Sequence, residues 1–187
     1  MNVMTKEAID FVLFSEDEIS ALMQRSVERD VRGKSVRYVE CLVRNKEVQL
    51  KPEEHVRQLW LSRLINTLGY APSRIAVEYP ITFGRDTSKR ADIVVFDADR
   101  KTVPYIIIEV KEPKLKDGKE QLRSYAHATG APLAVWSNGT LAEVWHRKNP
   151  NYFMPIHELP RAEQTIEQVV DEPWRIQTLI EFEDARA

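Results

Sequence analysis

The pattern of apolar and polar positions changes period several times along the chain. After Ser15, which forms a capping-box pattern with Glu18, apolar residues recur at helical spacing as far as Val27 and predict a short amphipathic helix. Residues 36–43 then alternate in character and predict a strand, with residues 47–50 as a possible hairpin partner. The N-terminal region is therefore predicted to contain a helix and strands, but these patterns indicate no catalytic or binding residues in it.

A longer helix is predicted next. Pro52 suits a first helical position, acidic residues follow it, and apolar residues continue at helical spacing until Gly69. Residues 75–81 alternate as in a half-buried strand, which Pro80 places near an edge of its sheet, and residues 84–89 are interpreted as the following turn.

Two apolar runs, residues 91–96 and 105–110, are rich in Ile and Val and are typical of strands buried on both faces. A crossover helix is predicted from an N-cap at Asp117 to Gly130. Two further strands flank Asn138-Gly139, a dipeptide that favours a tight hairpin turn.

From residue 52 onward the order is helix, three strands, helix, two strands, which predicts an α/β fold around a central mixed sheet. We expect an N-terminal extension of a helix and strand over residues 1–50 and a core over residues 51–149. Residues 150–187 then form a tail whose amphipathic helix, at residues 174–182, packs on the core or leads to a neighbouring domain.

Composition limits the functional classes. The 187 residues suffice for one domain, no segment approaches the roughly 20 apolar residues of a membrane helix, and no secretory signal is evident, so a cytoplasmic protein is expected. Cys41 is the single cysteine and cannot form an internal disulfide. Because the formal net charge is -2, any affinity for nucleic acid must come from a local basic patch or from another polypeptide.

Three charged residues interrupt the apolar strands: Asp92 in the first, and Glu109 and Lys111 at the end of the second. Strand alternation places Glu109 and Lys111 on one face, about 7 Å apart. If the strands pair with matching faces, two carboxylates and an ammonium converge, and burying such ions unpaired costs several kcal/mol. A hard cation such as Mg²⁺ would compensate them, with Asp92, Glu109 and the backbone carbonyl of Val110 as ligands.

This arrangement resembles the PD-(D/E)xK signature of restriction-endonuclease-like nucleases. It resembles more closely the N-terminal nuclease domain of type I restriction enzyme R subunits, over about residues 52–147. The likeness rests on five blocks in the same order: PEEHVR at residues 52–57, SKRADIVV at 88–95, IIEVKEP at 107–113, QLRSY at 121–125, and AP followed by SNG at 131–139. The chain departs from the family pattern where Ala91 replaces the proline of the signature, and it contains no GxxxxGK[ST] loop of an ATP-driven motor.

The resemblance implies that Asp92 and Glu109 are metal ligands, that Lys111 is the catalytic lysine, and that Glu54 is an auxiliary acid near the metal. It also implies that Gln121 and Tyr125, which match a QxxxY motif, orient the DNA or the site. The expected activity is that of a Mg²⁺-dependent endodeoxyribonuclease, with Mn²⁺ as a substitute. DNA is the expected partner, together with specificity, methyltransferase or helicase subunits or a fused motor.

Other interpretations stay open at this point. Glu109 and Lys111 could form a structural ion pair, with Asp92 as a turn residue partnered by Arg90. The chain could be a catalytically silent binding or assembly module of the same fold, or a nuclease of RNA or branched DNA. A phosphate-binding patch is a further hypothesis, and it comprises Lys89, Arg90, Lys114, Lys116 and Lys119.

Overall fold

The computed structural model of the protein describes residues 11–83 and 85–170. Its first part is a helix followed by a small antiparallel sheet. Helix α1 (Glu16–Arg25) begins with the predicted capping box, in which both hydrogen bonds between Ser15 and Glu18 are formed. Three strands follow in the order β1-β2-β3: β1 (Ser26–Val31), β2 (Lys34–Glu40) and β3 (Glu47–Gln49).

The second part is a six-stranded sheet with helices on both sides. Helix α2 (Pro52–Ser62) precedes the sheet and continues as a π-helical turn, Arg63–Thr67, as expected from the predicted helix that ends before Gly69. The strands lie in sequence order, and only the central β6·β7 pair is parallel. They are β4 (Ile75–Phe83), β5 (Asp86–Phe96), β6 (Pro104–Val110), β7 (Leu133–Ser137), β8 (Ala142–Asn149) and β9 (Tyr152–Ile156).

Helix α3 (Lys119–Thr129) connects the two parallel strands, and a short helix α4 (Ile166–Val170) follows the sheet. One hydrophobic cluster joins α2 to one face of the sheet through residues such as Leu59, Ile93 and Ile108. A second cluster joins α3 to the opposite face through residues such as Leu122 and Ile107. The apolar runs at residues 91–96 of β5 and 105–110 of β6 are therefore buried on both faces, as predicted, whereas Ser88, Lys89 and Arg90 of β5 are exposed.

Several details differ from the sequence prediction. Val27 belongs to β1 and not to the first helix, and β5 already begins at Asp86, inside the stretch interpreted as a turn. The sheet does not end at residue 149, because β9 pairs with β8 and adds a sixth strand. The amphipathic segment at residues 174–182 lies outside the described residues.

The start of α3 also differs. Asp117 is not its N-cap; Gly118 is, with a left-handed φ of 92° and no side-chain cap. The hairpin around Asn138-Gly139 is confirmed, but its loop is longer than two residues because β8 starts at Ala142. Within the described ranges, no helix has both the length and the apolar character to cross a membrane.

Candidate nuclease site

Strands β5 and β6 bring the two predicted catalytic carboxylates to the same end of the sheet. The strands pair in a register that sets Ile93 opposite Ile108, so that the next pair in this register is Asp92 and Glu109. Alternation assigns both residues to the face of Val94 and Ile107, which pack together on the α3 side. The predicted convergence of the two carboxylates is therefore what the strand register produces.

Glu109 is the most buried charged group of the site, with 2% of the residue exposed. Its Oε1 accepts hydrogen bonds from Lys111 Nζ at 2.7 Å and from Gln121 Nε2 at 3.0 Å. Its Oε2 is buried without a hydrogen-bond partner. Burial and the negative charge of Asp92 raise the pKa of Glu109 to about 7, against the opposing effect of the Lys111 ion pair. This is a carboxylate short of positive partners.

Lys111 follows β6 directly, and its backbone N–H still donates to Ser137 O at 2.8 Å. Burial alone would lower the pKa of this ammonium, but its hydrogen bond and ion pair with Glu109 outweigh burial and raise the pKa. The chain then returns over the lysine side chain at Gly118, where an added Cβ would lie only 2.6 Å from Lys111 Cε. Glycine is needed here both for this close approach and for the positive φ.

The loop that covers Lys111 is held in place by residues of the β7–β8 hairpin. Trp136 Nε1 donates to the carbonyl of Asp117 at 2.7 Å, and Asn138 Nδ2 donates to the carbonyl of Leu115 at 2.8 Å. These two bonds fix the backbone on each side of Lys116. The ammonium of Lys111 is thus confined between the loop and the carboxylate of Glu109.

Asp92 is not a turn residue partnered by Arg90. Its Oδ2 accepts the backbone N–H of Val110 at 2.8 Å, and its Oδ1 accepts a hydrogen bond from Arg57 Nη2 at 2.6 Å. Arg90 instead donates to the backbone carbonyl of Glu78 at 3.2 Å. Both oxygens of Asp92 are therefore engaged with the end of β6 and with helix α2.

Arg57 is a buried cation that the sequence prediction did not assign to the site. Its guanidinium reaches Glu53 at 2.9 Å and Asp92 at 2.6 Å, and it also pairs closely with Glu54. Burial would lower its pKa, but the charges of Asp92 and Glu54 raise it further above its usual value. Arg57 thus balances three carboxylates at the beginning of α2.

Glu54 lies inside this network. Besides Arg57, it accepts hydrogen bonds from Arg44 at 2.8 Å and from Gln58 Nε2 at 2.9 Å. Arg44 also pairs with Glu78 at 3.0 Å, so the loop between β2 and β3 is tied to the site. With both oxygens bound by cations or an amide, Glu54 contributes charge and position to the site, and its predicted role near a metal stays a prediction.

Gln121 and Tyr125 lie on the same face of α3, as their four-residue spacing predicts. Gln121 Nε2 lies 3.0 Å from Glu109 Oε1 and 2.8 Å from the Tyr125 hydroxyl, so that it joins the helix to the carboxylate of Glu109. Burial and the charge of Glu109 raise the pKa of Tyr125. The pair orients Glu109, whereas contact with DNA stays a prediction.

The basic residues of the predicted phosphate-binding patch differ in their exposure and in their ion pairs. Lys89, Lys114 and Lys116 are exposed. Lys119 forms a close ion pair with Glu143 and lies 4.9 Å from the centre of the Trp136 ring, so its charge is partly compensated. Three exposed lysines around the site remain as candidates for phosphate contact.

The donor chemistry of the site fits a hard divalent cation. Asp92 and Glu109 supply carboxylates at adjacent strand positions, and the partnerless Oε2 of Glu109 is the free buried donor that such an ion would use. No group of three or more His, Cys, Asp or Glu side chains in the described part of the chain is arranged to hold a metal.

One comparison with known proteins, that with a family model, agrees with the resemblance seen in the motifs. Residues 52–160, more than half of the chain, match the family model described as type I restriction enzyme R protein N terminus. No curated protein matches the chain. A solved fragment assigned to the HsdR subunit of a type I restriction enzyme from Vibrio vulnificus YJ016 is similar at 20% identity and a TM-score of 0.42, over 58% of this chain and 23% of that one. The chain therefore spans about a quarter of that fragment.

Proposed function

Since the chain belongs to the family of type I restriction enzyme R protein N termini, we propose that it is the nuclease module of a restriction system of this type and hydrolyses phosphodiester bonds of DNA with the help of a divalent metal. The observation that carries the proposal is that Asp92, within β5, lies beside the end of β6, where Glu109 and Lys111 form an ion pair. Buried charges in such a cluster are costly, and groups of this kind concentrate at functional sites.

In this proposal each residue of the site has a separate role. Asp92, Glu109 and the Val110 carbonyl would hold Mg²⁺ or Mn²⁺, which supplies a water of lowered pKa and neutralises charge on the phosphodiester. Lys111, confined beside Glu109, would donate a hydrogen bond to the attacking water or to a phosphate oxygen. Gln121 holds Glu109 in orientation.

Nicking of supercoiled plasmid with Mg²⁺ tests the proposal. We expect Lys111→Ala and Lys111→Met to abolish nicking, and Lys101→Ala, which removes an exposed lysine from the turn between β5 and β6, to leave it unchanged. Circular dichroism spectra and thermal melts of all variants would separate lost chemistry from lost folding. Nicking that persists in a folded Lys111 variant would contradict the proposal.

Metal binding provides a measurement independent of cleavage. Crystals soaked in Mn²⁺ are expected to show anomalous density between Asp92 and Glu109, and titration calorimetry is expected to show weaker binding in Glu109→Gln. Density elsewhere, or binding of equal strength in the variant, would remove these residues from the metal site.

One observation favours a second candidate function. Asp92 is paired with Arg57, and Glu109 with Lys111, so the cluster also has the form of a structural ion-pair network. A catalytically silent module that docks onto other subunits would keep such a network. It predicts a folded chain that cleaves no DNA with Mg²⁺ or Mn²⁺, and cleavage by the purified chain would exclude it.

A further inference from the structure

The segment Ser137-Asn138-Gly139, where β7 turns towards β8, belongs to the motif pattern of the chain but has no role in the proposed chemistry. All three residues are buried, and the polar residues Ser137 and Asn138 are 0% and 2% exposed. Turns normally lie at the surface, and a buried polar side chain is costly unless it forms hydrogen bonds. The hydrogen bonds of this turn therefore indicate what it holds in place.

The side chain of Asn138 joins two segments of the chain. Its Oδ1 accepts the backbone N–H groups of Thr140 at 3.1 Å and Leu141 at 2.9 Å, which shapes the turn itself. Its Nδ2 donates to the carbonyl of Leu115 at 2.8 Å, in the loop that covers Lys111. These partners fix the orientation of the amide, because the N–H groups need the oxygen and the carbonyl needs the nitrogen. Since the oxygen stabilises the turn and the nitrogen stabilises the loop, a substitution can separate the two effects.

The loop that covers Lys111, residues 112–118, depends on contacts from outside. It belongs to no helix or strand, and five of its seven residues are exposed, which is typical of a segment that opens easily. Asn138 holds its middle, and Trp136 Nε1 donates to the carbonyl of Asp117 at 2.7 Å near its end. The backbone of its last residue lies against Lys111, where an added Cβ would be 2.6 Å from Cε. The two side-chain donors therefore determine how closely the loop covers the lysine.

The turn is also fixed to other parts of the site. The carbonyl of Ser137 accepts the backbone N–H of Lys111 at 2.8 Å. Gly139 has a φ of 83°, and an added Cβ there would lie 2.8 Å from Phe11 Cδ1 and 3.1 Å from Val56 Cγ2 of helix α2. A turn that is packed this closely against its neighbours can hold a flexible loop in one position.

We propose that Asn138 is a positioning residue for Lys111. By fixing the loop of residues 112–118, it confines the ammonium 2.7 Å from Oε1 of Glu109, where the lysine would meet the attacking water or a phosphate oxygen. A lysine side chain is flexible, and a displacement of about 1 Å from the reactive geometry can lower a rate about 100-fold. Trp136 supports the same loop through the hydrogen bond of its indole. The inference rests on the proposed function, because it assigns Asn138 a role in the hydrolysis that Lys111 would assist.

Steady-state nicking of plasmid at saturating Mg²⁺, at a temperature where thermal melts show every variant folded, tests the inference. Asn138→Asp keeps the oxygen that shapes the turn but replaces the donor to Leu115 by an oxygen, and Trp136→Phe removes the other donor without adding a charge. We expect both variants to lower kcat roughly tenfold or more and to change KM for DNA much less. The matched control is Arg147→Met, which removes two side-chain hydrogen bonds to the loop at the other end of α3 and is expected to preserve kcat.

The NMR signals of Lys111 provide a readout that does not depend on cleavage. In the full chain labelled with ¹³C-lysine, the Hε protons of Lys111, assigned by their absence in Lys111→Met, are expected to differ in chemical shift because the side chain is confined. This difference should collapse in Asn138→Asp and remain in Arg147→Met. An unchanged kcat in folded Asn138→Asp, or unchanged Lys111 signals, would overturn the inference. If the unaltered chain does not nick DNA with Mg²⁺, the proposed hydrolysis is contradicted, and the Lys111 signals decide separately whether Asn138 confines the ammonium.

Discussion

Removing Arg57 should destabilise the protein more than removing any exposed cation. The Arg57 side chain is 7% exposed, and it faces Glu54 at 10% and Asp92 at 15% exposure. Arg57→Met keeps most of the aliphatic volume but leaves these carboxylates without their shared cation. Breaking a buried pair by removing one partner costs about 3–5 kcal/mol, and we expect a loss of that order. A typical domain has only about 5–15 kcal/mol in total, so the variant should be close to unfolding.

Urea denaturation followed by tryptophan fluorescence would measure the loss. Arg100→Met is the control, because Arg100 is 70% exposed and pairs with Asp97 at 3.3 Å, a geometry worth about 0.5 kcal/mol or less. Combining Arg57→Met with Asp92→Asn should recover part of the stability, because one uncompensated charge is then removed. A loss below about 1 kcal/mol in Arg57→Met would refute the view that Arg57 balances the cluster.

Two further predictions concern Glu109 and Gly118. Because burial raises the pKa of Glu109 to about 7 from an ordinary 4.5, the folded state retains a proton there that the unfolded chain releases. The stabilisation from this group is therefore complete below about pH 4.5 and is lost as the pH rises through about 7. Urea denaturation in EDTA should show this decline in the free energy of unfolding, and Glu109→Gln should abolish it. A parallel decline in the variant would contradict the prediction. Gly118→Ala should lower the free energy of unfolding by about 1–3 kcal/mol and reduce nicking, because the new Cβ would lie 2.6 Å from Lys111 Cε and the residue has a φ of +92°. An unchanged melting temperature would refute this steric argument.

The sequence predicts the strands that carry Asp92 and Glu109 because burial dictates the composition of these strands. The Val- and Ile-rich runs of β5 and β6 have no other stable location than a sheet covered on both sides. The same reasoning does not predict strand β1, because its residues are exposed on both faces and show no alternation. It does not predict strand β9 either, because Pro155 interrupts a short segment that pairs only at the edge of the sheet.

The predicted site is correct in its register and incomplete in its charges. Asp92 and Glu109 can be brought together from strand periodicity alone, because their spacing is local to two neighbouring strands. Arg57 cannot be assigned to the site in this way, since an arginine three and four residues after glutamates in a helix has the pattern of a solvated helix surface. Its burial depends on the angle at which α2 meets the end of β5, and this angle is a property of the packed fold.

Arg57 and Lys111 determine how the carboxylates of the site would respond to the proposed metal. Asp92 is held by Arg57 from α2, and Glu109 by Lys111 after β6, whereas Oε2 of Glu109 has no hydrogen-bond partner. If Asp92 turned to a divalent cation, Arg57 would keep Glu53 and Glu54 as partners and would not become an unpaired buried charge. Because an orphaned buried charge costs several kcal/mol, this spare pairing lowers the free energy needed to exchange one cation for another at Asp92.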